Sequence, residues 1–251
     1  MKKLILIPII ILLLSVNALA AGPAFLNMVG SRSCDLPYTT NLALWLDGEC
    51  SIITESGLEI SQWNDISGNN NHATQSTASL KPDLAQLGGF NAVHWDGGDG
   101  MTLTSTIAFG NHTLIAVVQP DDTATVKTII TGASDSLQWS IIADEKQKLT
   151  RMNQDDISTA DSATSTIAIS IIAAKYEDGT GNAYKFWLNG VADGASTHND
   201  DLSTNITEIG TKGGSEVFAG NILALVVFTE YVSDANVDAI IAYFNGRYGA
   251  Y

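Results

Sequence analysis

The sequence is poor in the residues from which most enzyme and metal sites are built. Four histidines, His72, His94, His112 and His198, are scattered through 251 residues, and none has the spacing of a zinc-hydrolase helix. Cysteine occurs twice, at Cys34 and Cys50, and neither has a ligand-type neighbour at a zinc spacing. No Gly-x-Ser-x-Gly elbow occurs, which removes the usual strand-to-helix serine nucleophile. Asp144–Glu145 and Asp155–Asp156 are adjacent pairs. In a strand their side chains point to opposite faces, so they read as solvated turns. Positive charge is also scarce. Twelve Lys+Arg stand against 27 Asp+Glu, a net charge of −15. Such a chain repels phosphate, which argues against nucleic acid as a partner and against an anionic membrane surface.

Long apolar runs are missing beyond the N-terminus. There, Met1-Lys2-Lys3 precedes an apolar run from Leu4 to Val16, and Ala18-Leu-Ala20 supplies small residues at a cleavage site. This is the pattern of a secretory signal peptide over 1–20. As a helix the apolar run rises about 20 Å, short of a hydrocarbon core of roughly 30 Å. The expectation is an exported protein, secreted, periplasmic or surface-associated, with no stable membrane insertion once the signal is removed. In that compartment Cys34 and Cys50 read as a disulfide. It closes a loop of about 15 residues, a stabilisation of roughly 3 kcal/mol by loop entropy. It ties a leader segment, 21–40, to the end of the first strand.

What the sequence does contain is a series of short apolar runs ended by Asp, Asn and Gly. Leu42–Leu46, Ile60–Trp63, Ala92–Trp95, Thr113–Val118, Thr128–Thr131, Leu137–Ile142, Thr166–Ile172, Ala183–Leu188, Ile206–Ile209 and Asn221–Phe228 all read as strands,. Met101-Thr-Leu-Thr104 has the alternation of a half-buried strand. Asn189-Gly190 is a strong hairpin signal. After Ser233 the period changes: Val237, Ile240, Ile241 and Phe244 recur at helical spacing. Ser233 suits the N-cap and Gly246 the C′ position, giving a helix over about 234–245. The pattern predicts an all-β, two-sheet antiparallel jelly-roll sandwich with one C-terminal α-helix, in one domain over 41–251.

Several motifs carry a resemblance. Leu44-Trp-Leu-Asp47, Trp63-Asn-Asp-Ile-Ser-Gly-Asn-Asn-Asn-His-Ala73 and Val93-His-Trp-Asp-Gly97 occur in order. They are followed by Leu114-Ile-Ala-Val-Val118, Phe186-Trp-Leu-Asn-Gly190 and Tyr243-Phe-Asn-Gly-Arg-Tyr-Gly249. In these the chain resembles the concanavalin A-like lectin/glucanase superfamily, and within it the laminin-G-like jelly-roll domains of bacterial and phage proteins. The resemblance implies the sandwich fold. It leaves function open among glycan binders, adhesion modules, hydrolases and virion components. The β-glucan-cleaving members carry Glu-x-Asp-x-x-Glu on one strand, and this chain has no such run.

Two sets of side chains stand out. Asp96 and Asp99, in Asp96-Gly-Gly-Asp99, offer hard oxygen ligands for Ca²⁺, although a tight turn needs the same residues. Trp187 alternates away from Phe186 and Leu188. It is therefore placed on a face with Lys185 and Asn189, where a ring and polar groups together suit a sugar. Arg151 and Asn153 share a face of a polar strand and are candidates for the same groove. The reading is an exported glycan-binding or surface-adhesion sandwich without catalysis. The alternatives are a structural virion or cell-surface component whose partners are other protein chains, and a glycoside hydrolase or polysaccharide lyase.

Overall fold

Strand signals of two kinds in the sequence become strands buried on both faces and strands buried on one. The computed structural model describes residues 33–122, 125–132, 137–141, 147–151, 158–159, 168–179, 183–197, 204–211, 213–214 and 216–251. The signal segment 1–20, most of the leader, Asp144–Glu145, Asp155–Asp156, Asn153 and His198 lie outside the described residues. The strands are β1 (Leu42–Asp47), β2 (Ile52–Ser56), β3 (Glu59–Trp63), β4 (Ala73–Thr74), β5 (Asp83–Leu87) and β6 (Phe90–Asp96). They continue with β7 (Met101–Phe109), β8 (His112–Pro120), β9 (Lys127–Thr131), β10 (Leu137–Ile141), β11 (Gln147–Arg151) and β12 (Ser158–Thr159). The last are β13 (Ser170–Glu177), β14 (Ala183–Leu188), β15 (Val191–Thr197), β16 (Thr204–Ile209) and β17 (Ala219–Phe228), followed by the helix α1 (Asp234–Tyr248). Every pairing among them is antiparallel.

The back sheet runs β17-β8-β13-β14-β15, with β1 and the β6–β5 hairpin sharing the other side of β17. The front sheet runs β2-β3-β4-β7-β16-β9-β10-β11-β12. Among the described residues a single bridge, Glu59 to Asp83, joins their edges. The expected jelly-roll sandwich is what forms.

The back-sheet strands are apolar without a break because both of their faces are covered. Leu114, Ala116 and Val118 of β8 point between the sheets, with Ile172 and Ala174 of β13 and Leu225 and Val227 of β17. The intervening Ile115, Val117, Ile171, Ala173 and Val226 point the other way, onto α1. In the front sheet β7 alternates instead, while β9 and β10 are buried at every position. Met101, Leu103 and Ile107 of β7 enter the inter-sheet core, and Thr102, Thr104 and Thr106 between them are exposed. Strands buried on both faces read as continuous apolar runs and strands buried on one face as alternation, so the sequence carries the difference.

α1 buries Val237, Ile240, Ile241, Phe244 and Tyr248 against the back sheet. Ser233 caps it by accepting the Asn236 N–H at 3.3 Å. The helix runs to Tyr248, beyond the expected end near 245, and the left-handed terminal residue is Gly249 at φ 61°, not Gly246. Tertiary contact holds the extra turn. The Tyr248 hydroxyl donates to Asp47 Oδ1 at 2.9 Å, deep under the helix. Strand β13 begins at Ser170, and the polar strands β2, β5 and β15 carry no alternation from which to expect them.

Two devices close the sheet edge at β1. The Cys34–Cys50 disulfide forms, with Cα atoms 6.3 Å apart. The loop after Trp63 lies along the free edge of β1. Asp65 Oδ1 accepts the Trp45 N–H at 2.9 Å, and the Ile66 N–H donates to the Trp45 carbonyl at 2.9 Å. The Asn69 and Asn71 amides donate to the Leu42 and Ala43 carbonyls at 2.7 and 2.8 Å. Side chains thus occupy a row of backbone groups that an open edge offers to another strand.

Candidate functional site

α1 covers the outer face of the back sheet, and among the described residues no helix covers the outer face of the front sheet. Residues directly opposite in an antiparallel pair share a face, so the register identifies the row that crosses it. Gln62 stands opposite Thr74, Thr74 opposite Thr102, and Thr102 opposite Glu208. Glu208 is in turn opposite Thr131, and Thr131 opposite Gln138. Six polar residues from six strands line up: Gln62, Thr74, Thr102 and Glu208 are exposed or half-buried, while Thr131 and Gln138, at 0% and 5% exposed, are buried. A hollow of about 380 Å³ lies at the β3–β4–β7 end, lined by Ser61, Gln62, Thr74, Gln75, Ser76 and Thr102.

The row is held from within. Gln75 Nε2 donates to the Gly100 carbonyl at 2.5 Å and Thr74 Oγ1 to the Thr102 carbonyl at 3.2 Å. At the other end Gln138 Nε2 donates to Thr128 Oγ1 at 2.9 Å and to Glu216 Oε2 at 2.6 Å. Glu208 Oε2 accepts the Gly213 N–H at 3.0 Å. The described side chains of the row are hydroxyls, amides and one carboxylate, which suits donation to and acceptance from sugar hydroxyls in fixed directions. A second hollow of about 490 Å³ is bounded by Asn41, Asn69, Asn71 and Thr106. Its Asn69 and Asn71 amides already serve the β1 edge.

The aromatic site expected around Trp187 does not form. Trp187 lies on the face opposite Phe186, as alternation predicts, but α1 covers that face and the ring is 2% exposed. The ammonium groups of Lys175 and Lys185 sit 5.2 and 4.9 Å from its centroid. Both pair with Asp234, the first residue of α1, and these two lysines hold the Asp234 carboxyl below its ordinary range. Trp187 therefore anchors the helix, and its ring faces no solvent. Asn189 is used locally: it takes φ 50° in the hairpin turn, and its Oδ1 accepts the Ile171 N–H at 2.9 Å. Arg151 closes β11 opposite Leu137, in the front sheet, so it does not join Lys185 and Trp187 of the back sheet. The other four tryptophans, Trp45, Trp63, Trp95 and Trp139, are at most 4% exposed.

Asp96 and Asp99 fold onto each other's turn. Asp99 Oδ2 accepts the Asp96 N–H at 2.8 Å and Asp96 Oδ1 accepts the Gly98 N–H at 2.7 Å. Burial pushes the Asp99 carboxyl up to about 6. These bonds are those of a tight Asp-Gly turn, which accounts for both residues by turn geometry,. Among the described residues no cluster of three or more His, Cys, Asp or Glu is placed to hold a metal.

The row on the front sheet escaped sequence reasoning because its members are isolated polar residues on six separate strands. The one local signal was the Met101-Thr-Leu-Thr104 alternation, which marks a strand with an open face without saying what lies beside it.

No protein-family model matches the sequence, and no curated protein matches it significantly. Solved structures share the fold. Domain 4 of AbnA, a GH43 extracellular arabinanase from Geobacillus stearothermophilus, was solved with arabinotriose. It superposes with a TM-score of 0.61 at 18% identity, over 80% of this chain and 98% of that one. The CBM40 of the Ruminococcus gnavus IT-sialidase, bound to α2,3-sialyllactose, gives 0.51 at 13% identity over 60% of this chain and 96% of that one. Trypanosoma rangeli sialidase in complex with sialic acid gives 0.53 at 12% identity, over 81% of this chain and 33% of that one.

Proposed function

We propose that this protein is an exported carbohydrate-binding sandwich of the concanavalin A-like type, which holds a neutral oligosaccharide on the outer face of its front sheet and does no chemistry on it. The observation that carries the reading is the polar row from Gln62 through Thr74 and Thr102 to Glu208, on the outer face of the front sheet, with a hollow of about 380 Å³ at one end. Its described side chains carry no cation. A sialylated or uronate-rich chain would meet Glu208 and a net charge of −15 without a counter-charge, so neutral sugars are favoured over acidic ones. The arabinotriose-bound arabinanase domain and the sialyllactose-bound module show that domains of this fold serve as sugar binders. The chemistry of this face sides with the neutral ligand. None of the described side chains that line the hollow is aromatic, so binding here rests on hydrogen bonds. The disulfide supports export, because such bonds persist in oxidising compartments.

A glycan array probed with the purified protein tests the reading. Retention of neutral oligosaccharides, recovered at their original length, is the expected result. Retention confined to sialylated or uronate glycans, shortened products, or no retention at all would overturn it.

A further inference from the structure

The Cys34–Cys50 disulfide is asymmetric in two independent respects, and both point the same way. The first is access. Cys34 is exposed, and Cys50 is half-buried at the end of the turn after β1. The second is charge. The Arg247 side chain, 4% exposed, turns inward from the last turn of α1 and brings Nη2 to 3.1 Å from Cys50 Sγ and 3.8 Å from Cys34 Sγ. The same nitrogen lies 3.6 Å from Asp47 Oδ1, and the Tyr243 hydroxyl accepts from Nη1 at 2.8 Å. The guanidinium is thus fixed in place, nearer to one sulfur than to the other.

A thiolate beside an arginine is stabilised, and in thiol–disulfide exchange the sulfur whose thiolate is more stable leaves faster. We propose that this disulfide is a directed exchange site: an incoming thiolate attacks Cys34 Sγ, and Cys50 departs as a thiolate held by Arg247. In that step the S–S bond breaks, and its electron pair stays on Cys50 Sγ. A new S–S bond joins Cys34 to the incoming sulfur: the incoming thiolate is oxidised to the mixed disulfide as Cys50 is reduced, so no reductant beyond that thiol is consumed. The co-reactant is a small thiol in its thiolate form. The product carries that thiol on Cys34, next to the leader segment, and releases Cys50 and the turn after β1 from the residues that precede the sandwich. Asp47 takes part by position: its carboxylate competes with Cys50 for the guanidinium, so the arginine is shared between them.

The test uses the purified protein with reduced glutathione at mildly alkaline pH, acid-quenched at short times, with free thiols alkylated and the peptides mapped by mass spectrometry. The expected product has glutathione on Cys34 and the alkyl group on Cys50, in about tenfold excess over the reverse. Arg247→Gln is expected to slow exchange by about three- to tenfold and erode the preference, and Arg247→Lys is expected to retain both in larger part. Because the product ratio is read first on the unaltered protein, a folding defect in a variant does not obscure it. Glutathione shared equally between the two cysteines, or found mainly on Cys50, would overturn the proposal. So would an unchanged rate and ratio in a folded Arg247→Gln protein.

Discussion

Thr102 and Glu208 stand opposite each other across the β7–β16 pair and face outward from the front sheet, on the face that no helix covers among the described residues. Met101, Leu103 and Ile209 beside them are in the inter-sheet core, and Thr102 and Glu208 point the other way. Thr102 is exposed, and it also lines the hollow at the β3–β4–β7 end. Replacing it changes the ligand surface and little else. Thr102→Arg is expected to abolish oligosaccharide retention while moving stability by less than about 0.5 kcal/mol, as surface changes usually do. Affinity electrophoresis and a denaturant titration on the same sample check the two halves.

Trp187 is expected to behave in the opposite way. Its ring is buried beneath α1 and between two lysines that both pair with Asp234. Trp187→Ala removes that ring and leaves a cavity, at a cost of about 3–5 kcal/mol. In the surviving folded fraction, saccharide affinity is expected to be unchanged. A loss of affinity without a loss of stability would put the ligand at the helix side.

Asp65 is expected to be costly to remove although it lies in a turn. Its carboxylate accepts the backbone N–H groups of Trp45, Ser67 and Asn71, each at 2.9 Å. Asp65→Ala leaves these donors without their acceptor and uncovers part of the β1 edge, for a loss of about 2–4 kcal/mol. Urea denaturation measures the loss, and light scattering reads the edge-to-edge association that an uncovered strand invites.

Two buried groups give opposite pH dependences. Burial lowers His112 from 6.5 to about 4, and its Nδ1–H donates to the Gly110 carbonyl at 3.0 Å. Between those values the unfolded chain binds the proton and the folded one does not. Stability therefore falls as pH drops from 6.5 towards 4, by about 3 kcal/mol if no other group intervened. Asp99 is raised from 3.8 to about 6. There the folded state holds the proton longer, so its contribution falls as pH rises through that window. His112→Gln is expected to flatten the first slope and Asp99→Asn the second, in melting midpoints taken across pH 4–7. Calcium is expected to leave the midpoints alone. A calcium-induced rise that disappears in Asp96→Asn would restore the metal reading of that turn.

Much of this fold was legible in the sequence because burial leaves a period. Continuous apolar runs became the back sheet, Met101-Thr-Leu-Thr104 became an open front strand, and Val237, Ile240, Ile241 and Phe244 became the helix face. The site was less legible for a physical reason. Alternation told correctly that Trp187 opposes Phe186, but which layer covers a face is settled by packing between distant segments. Here α1 returns across the sheet. The same return carries the helix past Gly246, because Arg247 and Tyr248 find Asp47, some two hundred residues earlier in the chain. The polar row was hidden because neighbours in it are strangers in sequence: Gln62, Thr102, Glu208 and Gln138 meet only through strand register.

The central claim is tested most directly by amide chemical-shift mapping of the isotope-labelled protein during titration with a neutral oligosaccharide recovered from the array. The shifts are predicted to cluster on β3, β4, β7 and β16, around Gln62, Gln75, Thr102 and Glu208, and to saturate together. A cluster around Lys185, Asn189 and the start of α1, or scattered shifts that never saturate, would contradict it.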